Sequence, residues 1–90
     1  MTKSKLAADR KRLPALLRQI RLEAGLRQID VAQRLGQPQS FVSKYESGER
    51  RLDVLELRAV CVTLGTDLQQ FVTRLESALH HRNKTSSRSE

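Results

Sequence analysis

This sequence of 90 residues has little of what several protein classes depend on: one cysteine, no tryptophan, two prolines and 3% aromatic residues. A single cysteine cannot form an internal disulfide, which excludes a disulfide-stabilised scaffold. The chain has no run of about 20 apolar residues, which excludes a membrane-spanning helix. The opening segment MTKSKLAADRKR lacks an apolar core region, so we expect no signal peptide and a soluble, cytoplasmic protein.

The sequence also lacks the residue patterns of a catalytic or metal site. No nucleophile lies near a base, and no glycine-rich phosphate loop is present. His80 and His81 are adjacent and would point apart on a helix, and Cys61 has no second ligand at metal-binding spacing. We therefore expect no enzymatic activity, no cofactor and no metal, and we interpret Cys61 as a small buried hydrophobic residue.

Positive charge is unevenly distributed along the chain. The net charge is +7, and residues 1–51 hold 12 Lys or Arg against 5 Asp or Glu, whereas residues 52–90 hold 5 of each. A basic half of this kind indicates a polyanionic partner and would speed association by electrostatic steering. A membrane surface is the alternative partner, but the absence of a long apolar segment argues against it.

Apolar residues recur at helical spacing through most of the chain, and no strand pattern is present. Pro14 sets the start of the first helix near Leu13, and Arg21 falls on the polar side of that helix. Asp53 and Glu56 have the spacing of a capping box at the start of the fourth helix. We predict a compact all-α domain of five helices that buries mainly Leu, Val and Ile.

The domain boundaries follow from where the apolar pattern begins and ends. We predict a helical domain over residues 13–80, after a basic flexible arm (residues 1–12) and before a disordered polar tail (residues 81–90). The arm either touches DNA or only aids solubility. The core we expect comprises Leu16, Leu17, Ile20, Val31, Leu35, Val42, Tyr45, Leu57, Val60, Leu64 and Phe71.

The central segment predicts two short helices joined at a glycine corner: the first runs from about Gln28 to Leu35 and ends at Gly36. In the second helix, Val42 and Tyr45 point inward. The opposite side carries four polar residues, Gln39, Ser40, Ser43 and Lys44. Such side chains suit base edges in the major groove of DNA, although a polar row is also typical of an ordinary solvated helix face.

This segment resembles the Cro and phage-repressor type of helix-turn-helix, known as the XRE family. The resemblance extends over about residues 13–75 and rests on Gln28, Ala32, Leu35-Gly36 and Glu46-Ser47-Gly48. Arg27 departs from the family pattern, which usually has Ser or Thr there, so the helix that follows lacks a capping oxygen. The resemblance implies a lambda-repressor-like fold and a sequence-specific, double-stranded DNA-binding transcription regulator.

The expected DNA contacts fall into two groups. The expected base contacts are Gln39, Ser40, Ser43 and Lys44. The expected phosphate contacts are Gln28, Arg27, Arg50 and Arg51. Phe41 either packs under the following loop or touches a thymine methyl group.

The resemblance also implies a homodimer that represses transcription from an inverted-repeat operator, with autoregulation as an expected mode, and a bacterial, phage or mobile-element origin. Because the apolar stripe of the last helix extends beyond what a small domain can cover, we expect the dimer interface at Val72, Leu75 and Leu79, together with the end of the fourth helix. A monomer with that helix folded onto the first is the alternative. An antitoxin or a protein-interaction module with the same fold are alternative functions, and the regulated genes and the sign of regulation stay open.

Overall fold

Five helices make up the described part of the chain, and residues 2–87 contain no strand. The structure, a computed structural model, describes the backbone of residues 2–87 and the side chains of residues 5–80. In chain order the helices are α1 (Thr2–Glu23), α2 (Gln28–Leu35), α3 (Gln39–Ser47), α4 (Val54–Thr63) and α5 (Leu68–Ser87). The predicted all-α class is therefore confirmed, and α2 has the predicted bounds.

Helix α1 contains Pro14 in its interior, so the prediction that it begins near Leu13 is wrong. Residues 2–12, where the sequence predicts a flexible arm, are helical and continuous with the rest of α1. Proline removes one backbone hydrogen bond, but the residues before it are mostly good helix formers. An ion pair between Lys5 and Asp9, one turn apart (3.8 Å), further favours the helix.

Helix α5 continues to Ser87, past its predicted end near His80. Residues 81–87 belong to the segment for which the sequence predicts a disordered tail, and their backbone is helical; residues 88–90 lie outside the described part of the chain. Neither glycine nor proline follows His80, so no residue in this stretch stops a helix that is already formed.

The core lies where α1, α4 and α5 enclose the inner sides of α2 and α3. Its buried members are Leu16, Leu17, Ile20, Val31, Ala32, Val42, Tyr45, Leu57, Val60, Cys61, Leu64 and Phe71. This set contains the predicted core except Leu35, which packs against it while only half-buried. Each full burial of a Val, Leu or Phe side chain contributes about 1.5–3 kcal/mol, so these residues supply most of the driving force for folding.

The packing order of the helices leaves one side of α3 uncovered. Helix α3 packs against α1 and α2, and α4 packs against α2 and α5. The start of α4 is closed by the predicted capping box: Asp53 Oδ1 accepts the Glu56 amide (2.8 Å), and Glu56 Oε1 accepts the Asp53 amide (2.9 Å). Because α1 and α2 pack against the inner side of α3, the outer side of α3 is left without a neighbouring helix.

Candidate nucleic-acid interface

The corner between α2 and α3 turns at Gly36, whose φ of 69° is left-handed. The Gly36 amide donates to the Gln33 carbonyl (3.2 Å), and the Gln37 amide donates to the Ala32 carbonyl (3.0 Å). These bonds satisfy the last carbonyls of α2 in a geometry that glycine adopts without the strain a Cβ would cause. The chain therefore leaves α2 abruptly and begins α3 at Gln39.

Helix α3 has two opposite faces. Val42 and Tyr45 point into the core, with 0% and 2% of their surface exposed. The predicted base contacts on the other side are Gln39, Ser40, Ser43 and Lys44. Three of them are exposed, while Ser43 is half-buried and its hydroxyl donates to the Ser40 carbonyl (3.2 Å). The predicted division of α3 into an inward and an outward side is confirmed.

The N-terminal ends of α2 and α3 are joined by two glutamines. Gln39 Nε2 donates to Gln28 Oε1 (3.4 Å), and Gln28 Nε2 donates to Glu46 Oε1 (3.0 Å). The first residue of α2 is therefore oriented from two sides, and it in turn orients the first residue of α3. Both glutamines are predicted DNA contacts, but the sequence does not predict this link between them.

Arg21 of α1 is bound to Glu46 of α3 in the interior, although the sequence places it on the polar side of α1. Arg21 Nε and Nη2 donate to the two Glu46 carboxylate oxygens (2.6 and 3.0 Å), and Nη1 donates to the Leu26 carbonyl (2.8 Å). Only 8% and 3% of these two charged side chains are exposed. The hydrogen bonds that Arg21 donates to Glu46 raise the pKa of Arg21, despite the opposing effect of burial.

The Arg21–Glu46 ion pair fixes the outer helix to the rest of the domain. Because both charges are buried and each satisfies the other, loss of either would leave an uncompensated charge in a poorly hydrated place. The pair also holds the Glu46 oxygen that accepts from Gln28. One signal in the sequence could have revealed it: Arg21 lies four residues after Leu17, on the face of α1 that is otherwise apolar.

The start of α2 is stabilised in an unusual way. Arg27 supplies no capping hydrogen bond from its side chain, as predicted, but Asp30 accepts the Arg27 backbone amide (2.8 Å) and two guanidinium bonds (2.8 and 3.1 Å). The guanidinium hydrogen bonds, with the backbone one, lower the pKa of Asp30 to about 2. The Arg27 side chain is 78% exposed, so its charge remains at the surface beside the N-terminus of α2.

The loop after α3 contains one arginine turned toward the protein and one turned outward. Arg50 donates to both Glu56 oxygens (3.2 and 2.8 Å), and its guanidinium carbon lies 4.8 Å from the centre of the Phe41 ring. Hydrogen bonding from Arg50 lowers the pKa of Glu56. Phe41 also meets Tyr45 edge to face at 5.6 Å, so it packs beneath the loop, which was one of its two predicted positions. Arg51 is exposed, whereas Arg50 is already held by partners within the protein.

The predicted dimer residues on α5 differ in exposure. Val72 is 41% exposed, Leu79 is half-buried, and Leu75 packs partly against the core of its own subunit, where the sequence predicts an uncovered stripe. The reason is that α5 lies against α1, an arrangement that the Arg74–Glu23 ion pair (3.0 Å) supports. Leu75 is consequently less available to a partner than its neighbour Val72.

A second apolar surface lies on α4, which we call the α4 face: Leu55, Ala59 and Val62, three exposed residues at helical spacing. Leu55 is 75% and Val62 53% exposed, more than Val72 on α5. The sequence predicts that the end of the fourth helix joins the dimer interface, but it does not distinguish this face, because apolar residues occur on all sides of α4.

The other predictions concern Cys61, metal binding and membrane insertion. Cys61 is fully buried, and burial raises the pKa of its thiol to about 11, as expected for an inert packing residue. Among the residues whose side chains are described, no group of three or more His, Cys, Asp or Glu residues could hold a metal ion. Within the same part of the chain, no helix is both long and apolar enough to cross a membrane.

Known families and solved structures that are similar to this chain all have a helix-turn-helix. A model of a family described as helix-turn-helix matches residues 17–71, which include α2, α3 and α4. An XRE-family like protein from Pseudomonas syringae pv. tomato str. DC3000 has a solved structure that is 45% identical in sequence. The match covers 86% of this chain and 94% of that chain, with a TM-score of 0.79.

Two further solved structures share the fold at lower identity. The restriction-modification controller protein C.Esp1396I, solved as a tetramer in complex with its natural 35 base-pair operator, is 22% identical, covers 79% of this chain and 93% of its own, and has a TM-score of 0.73. The clp gene regulator ClgR from Corynebacterium glutamicum is 20% identical over 90% of this chain and 86% of its own, with a TM-score of 0.74. No curated protein matches the sequence.

Proposed function

The chain belongs to the XRE family of helix-turn-helix DNA-binding transcription regulators, and from that membership we propose that it acts as a dimeric repressor of an inverted-repeat operator. It works by binding and not by catalysis. The observation that carries the proposal is the outer side of α3, which is polar and exposed while its inner side is held by core packing and by the buried Arg21–Glu46 pair.

Base recognition is assigned to the outer side of α3: Gln39, Ser40, Ser43 and Lys44. Gln39 suits adenine, and Lys44 suits the O6 and N7 acceptors of guanine, because each matches the donor and acceptor pattern of that base in the major groove. Ser40 is exposed at the first turn of α3 and reads either kind of base. Ser43 contributes less than the others because it is half-buried and its hydroxyl donates to a backbone carbonyl.

Phosphate contacts are assigned to Gln28, Arg27 and Arg51. Gln28 and Arg27 lie at the N-terminus of α2, where the helix dipole favours an anion. Arg51 lies in the loop that follows α3 and is exposed. Arg50 is the fourth predicted phosphate contact, but its bonds to Glu56 favour a role in ordering that loop. Because 40% of the Arg50 side chain is exposed, it can also approach DNA.

Dimerisation is expected because a single α3 helix can recognise only a short stretch of DNA. A single helix reads only a few base pairs, and proteins of this motif class gain specificity by placing two such helices about 34 Å apart on the duplex. We place the interface at Val72, Leu75 and Leu79 on α5, with Val72 and Leu79 contributing most because Leu75 is partly covered by its own subunit. C.Esp1396I, which shares the fold, forms a tetramer on its operator.

A second candidate function is protein interaction, either as an antitoxin or as a module that retains the fold. The observation that favours it is the α4 face, because large exposed apolar side chains on one side of a helix indicate a protein partner. DNA binding and partner binding would use different surfaces, since α3 carries one and α4 the other.

The deciding experiment selects binding sites from a pool of random duplexes and compares the enriched sequence, and the region upstream of the protein's own gene, with unselected DNA. We expect a two-fold symmetric sequence with half-sites one helical turn apart, bound at least a hundredfold more tightly than random DNA. Enrichment of no sequence, with equal binding to all duplexes, would leave protein interaction as the better account.

The dimer is tested separately by sedimentation at micromolar concentration. We expect the wild type to be a dimer and the double variant Val72→Glu/Leu79→Glu to be a monomer, because like charges would meet across a two-fold seam. Leu55→Glu is the matched control on the other helix. A monomer produced by Leu55→Glu alone would move the interface to the α4 face.

A further inference from the structure

The N-terminal half of α1 lies beside the loop that follows α3. Arg10, Leu13 and Pro14 of α1 line one side of a cleft, and the residues across from them include Arg51 and Leu52 of the loop. Leu13 and Leu52 both pack against the core, so the two sides of the cleft are held in a fixed relation to each other. Arg10 is therefore at the same edge of the domain as Arg51, to which the proposed function assigns a phosphate contact.

The protein neutralises neither of these two arginines. Arg10 and Arg51 are exposed, and within residues 5–80 neither of them forms an ion pair with a carboxylate. Arg50, which lines the same cleft, is by contrast bound to Glu56. Cations that are grouped at one surface without counter-charges attract a polyanion. The cleft thus leaves two positive charges available to a polyanion beside the helix that reads DNA.

Arg10 is carried by a helix and not by the flexible arm that the sequence predicts. Residues 2–12 are continuous with the rest of α1, in which Leu16 and Leu17 are buried in the core. The backbone at Arg10 is therefore fixed relative to α3, and only the side chain has to become ordered on binding. A contact made from a preorganised position costs less conformational entropy than one made from a mobile segment.

The helical geometry of α1 directs Arg12 to a different surface. Arg12 follows Arg10 by two residues and so projects about 200° away from it around the helix axis. It lines a separate cleft between α1 and α5, together with Arg74 and Ser77. Arg12, like Arg10, has no ion pair within residues 5–80. The two arginines therefore differ mainly in the surface that they face, and only Arg10 faces the loop after α3.

We propose that Arg10 contacts a phosphate of the DNA backbone next to the phosphate that Arg51 contacts, so that α1 extends the DNA-binding surface beyond the helix-turn-helix. The inference rests on the proposed function, because it locates the contact of Arg10 relative to that of Arg51. A guanidinium group binds phosphate oxygens through two parallel hydrogen bonds, and Arg10 gives up no carboxylate partner to do so. Because the contact is to the backbone, it strengthens binding to every sequence and reads no base.

Binding titrations at several salt concentrations, on the selected operator and on random duplexes, test the role of Arg10. Each phosphate contact contributes about 0.9 to the slope of log affinity against log salt concentration. We therefore expect Arg10→Gln to reduce the slope by about one on both DNAs, and Arg10→Lys to retain most of it because the charge is kept. Arg12→Gln removes the same charge from the other side of α1 and should change the slope much less. Equal slopes for Arg10→Gln and Arg12→Gln would overturn the inference.

Arg51→Ala separates this inference from the proposed function. We expect the double variant Arg10→Gln/Arg51→Ala to reduce the slope by about two, because the two arginines contact different phosphates. A double variant with the same slope as Arg51→Ala alone would overturn the role of Arg10 and leave that of Arg51 intact. Unchanged slopes for both single variants would instead overturn the phosphate contact of the loop, and the contact of Arg10 with it.

Ethylation interference locates the contact on the DNA. Ethylation removes the charge of a single phosphate, so a phosphate whose ethylation weakens binding of the wild type but not of Arg10→Gln is the one that Arg10 contacts. We expect this phosphate to lie beside the one that Arg51→Ala identifies in the same way. If ethylation has the same effect at every phosphate for the wild type and Arg10→Gln, Arg10 makes no backbone contact.

Discussion

The two sides of α3 are constructed in opposite ways. On the inner side, Val42, Tyr45 and Glu46 are packed or paired, and Val42 and Tyr45 have almost no exposed surface. On the outer side, Gln39 and Lys44 are exposed and make few contacts with the rest of the protein. Stability and recognition are thus carried by different residues of one nine-residue helix. Mutations on the two sides should therefore produce separable effects.

The largest expected effect comes from breaking the inner side at Glu46. In Glu46→Gln, Arg21 becomes a buried cation without its counter-charge and loses one of the two oxygens to which it donates. We expect a loss of about 3 kcal/mol in the free energy of unfolding, because removal of one partner of a buried pair is strongly destabilising. Urea denaturation followed by circular dichroism measures it.

Two further variants sharpen this test. Glu49→Gln makes the same charge change at an exposed site next to α3 and should leave the free energy of unfolding within about 0.5 kcal/mol of the wild type. Arg21→Met/Glu46→Leu replaces the pair by apolar residues and should recover most of the lost stability. If the double variant were as unstable as Glu46→Gln, an uncompensated buried charge would not be the cause of the lost stability.

The next effect concerns the outer side and leaves stability unchanged. Lys44→Ala should cost about 1–3 kcal/mol of binding to the selected operator and relax preference at one base pair. Arg51→Ala should instead weaken binding to every duplex alike and reduce the slope of log affinity against log salt concentration by about one. Titrations on specific and random duplexes at several salt concentrations separate the two. Equal losses for both variants on both DNAs would show that the assigned roles are wrong.

A smaller effect is expected at the corner that joins the two helices. Gly36→Ala places a Cβ at a φ of 69°, which costs about 1 kcal/mol, although the space around the position is open. Thermal denaturation should show a lowered Tm for this variant. Gln37→Ala is the matched control at the next residue, which is exposed and has no positive φ. If the two variants had the same Tm, the corner would not require glycine.

The smallest effect is a dependence on pH at the start of α2. The pKa of Asp30 is lowered from 3.8 to about 2 by its hydrogen bonds with Arg27, so its stabilising contribution is present above pH 3.8 and is lost as the pH falls through about 2. We expect Asp30→Asn to have a lower Tm than the wild type at pH 6, with the difference closing by pH 2. A difference that stays constant over this range would exclude Asp30 as the titrating group.

The sequence predicts α2, α3 and the corner between them well, because local rules act there in the same direction. Apolar residues follow the helical period, Gly36 stops one helix, and Pro38 immediately precedes the next. The start of α1 was mispredicted for the opposite reason. Pro14 disfavours a helix locally, but a single lost hydrogen bond is outweighed by the residues on both sides of it.

The partners of charged side chains could not be predicted from the sequence. Arg21 lies on the apolar face of α1, four residues after Leu17, but only the approach of α3 brings Glu46 to it, 25 residues along the chain. Arg50 similarly has a carboxylate within reach only because α4 begins where it does. The sequence places both arginines on their elements but does not identify the carboxylate that each one binds.

By itself, the sequence determined the helical class, the helix-turn-helix corner and the polar side of α3, because these depend on residue spacing within a few turns of helix. The tertiary structure decided which charges are buried, how much of Leu75 remains exposed, and that the Tyr45 hydroxyl is buried without a hydrogen-bond partner among the described residues. Such features depend on how helices that are distant in the sequence pack together. The spacing of residues within one helix does not show which residues of another helix it will contact.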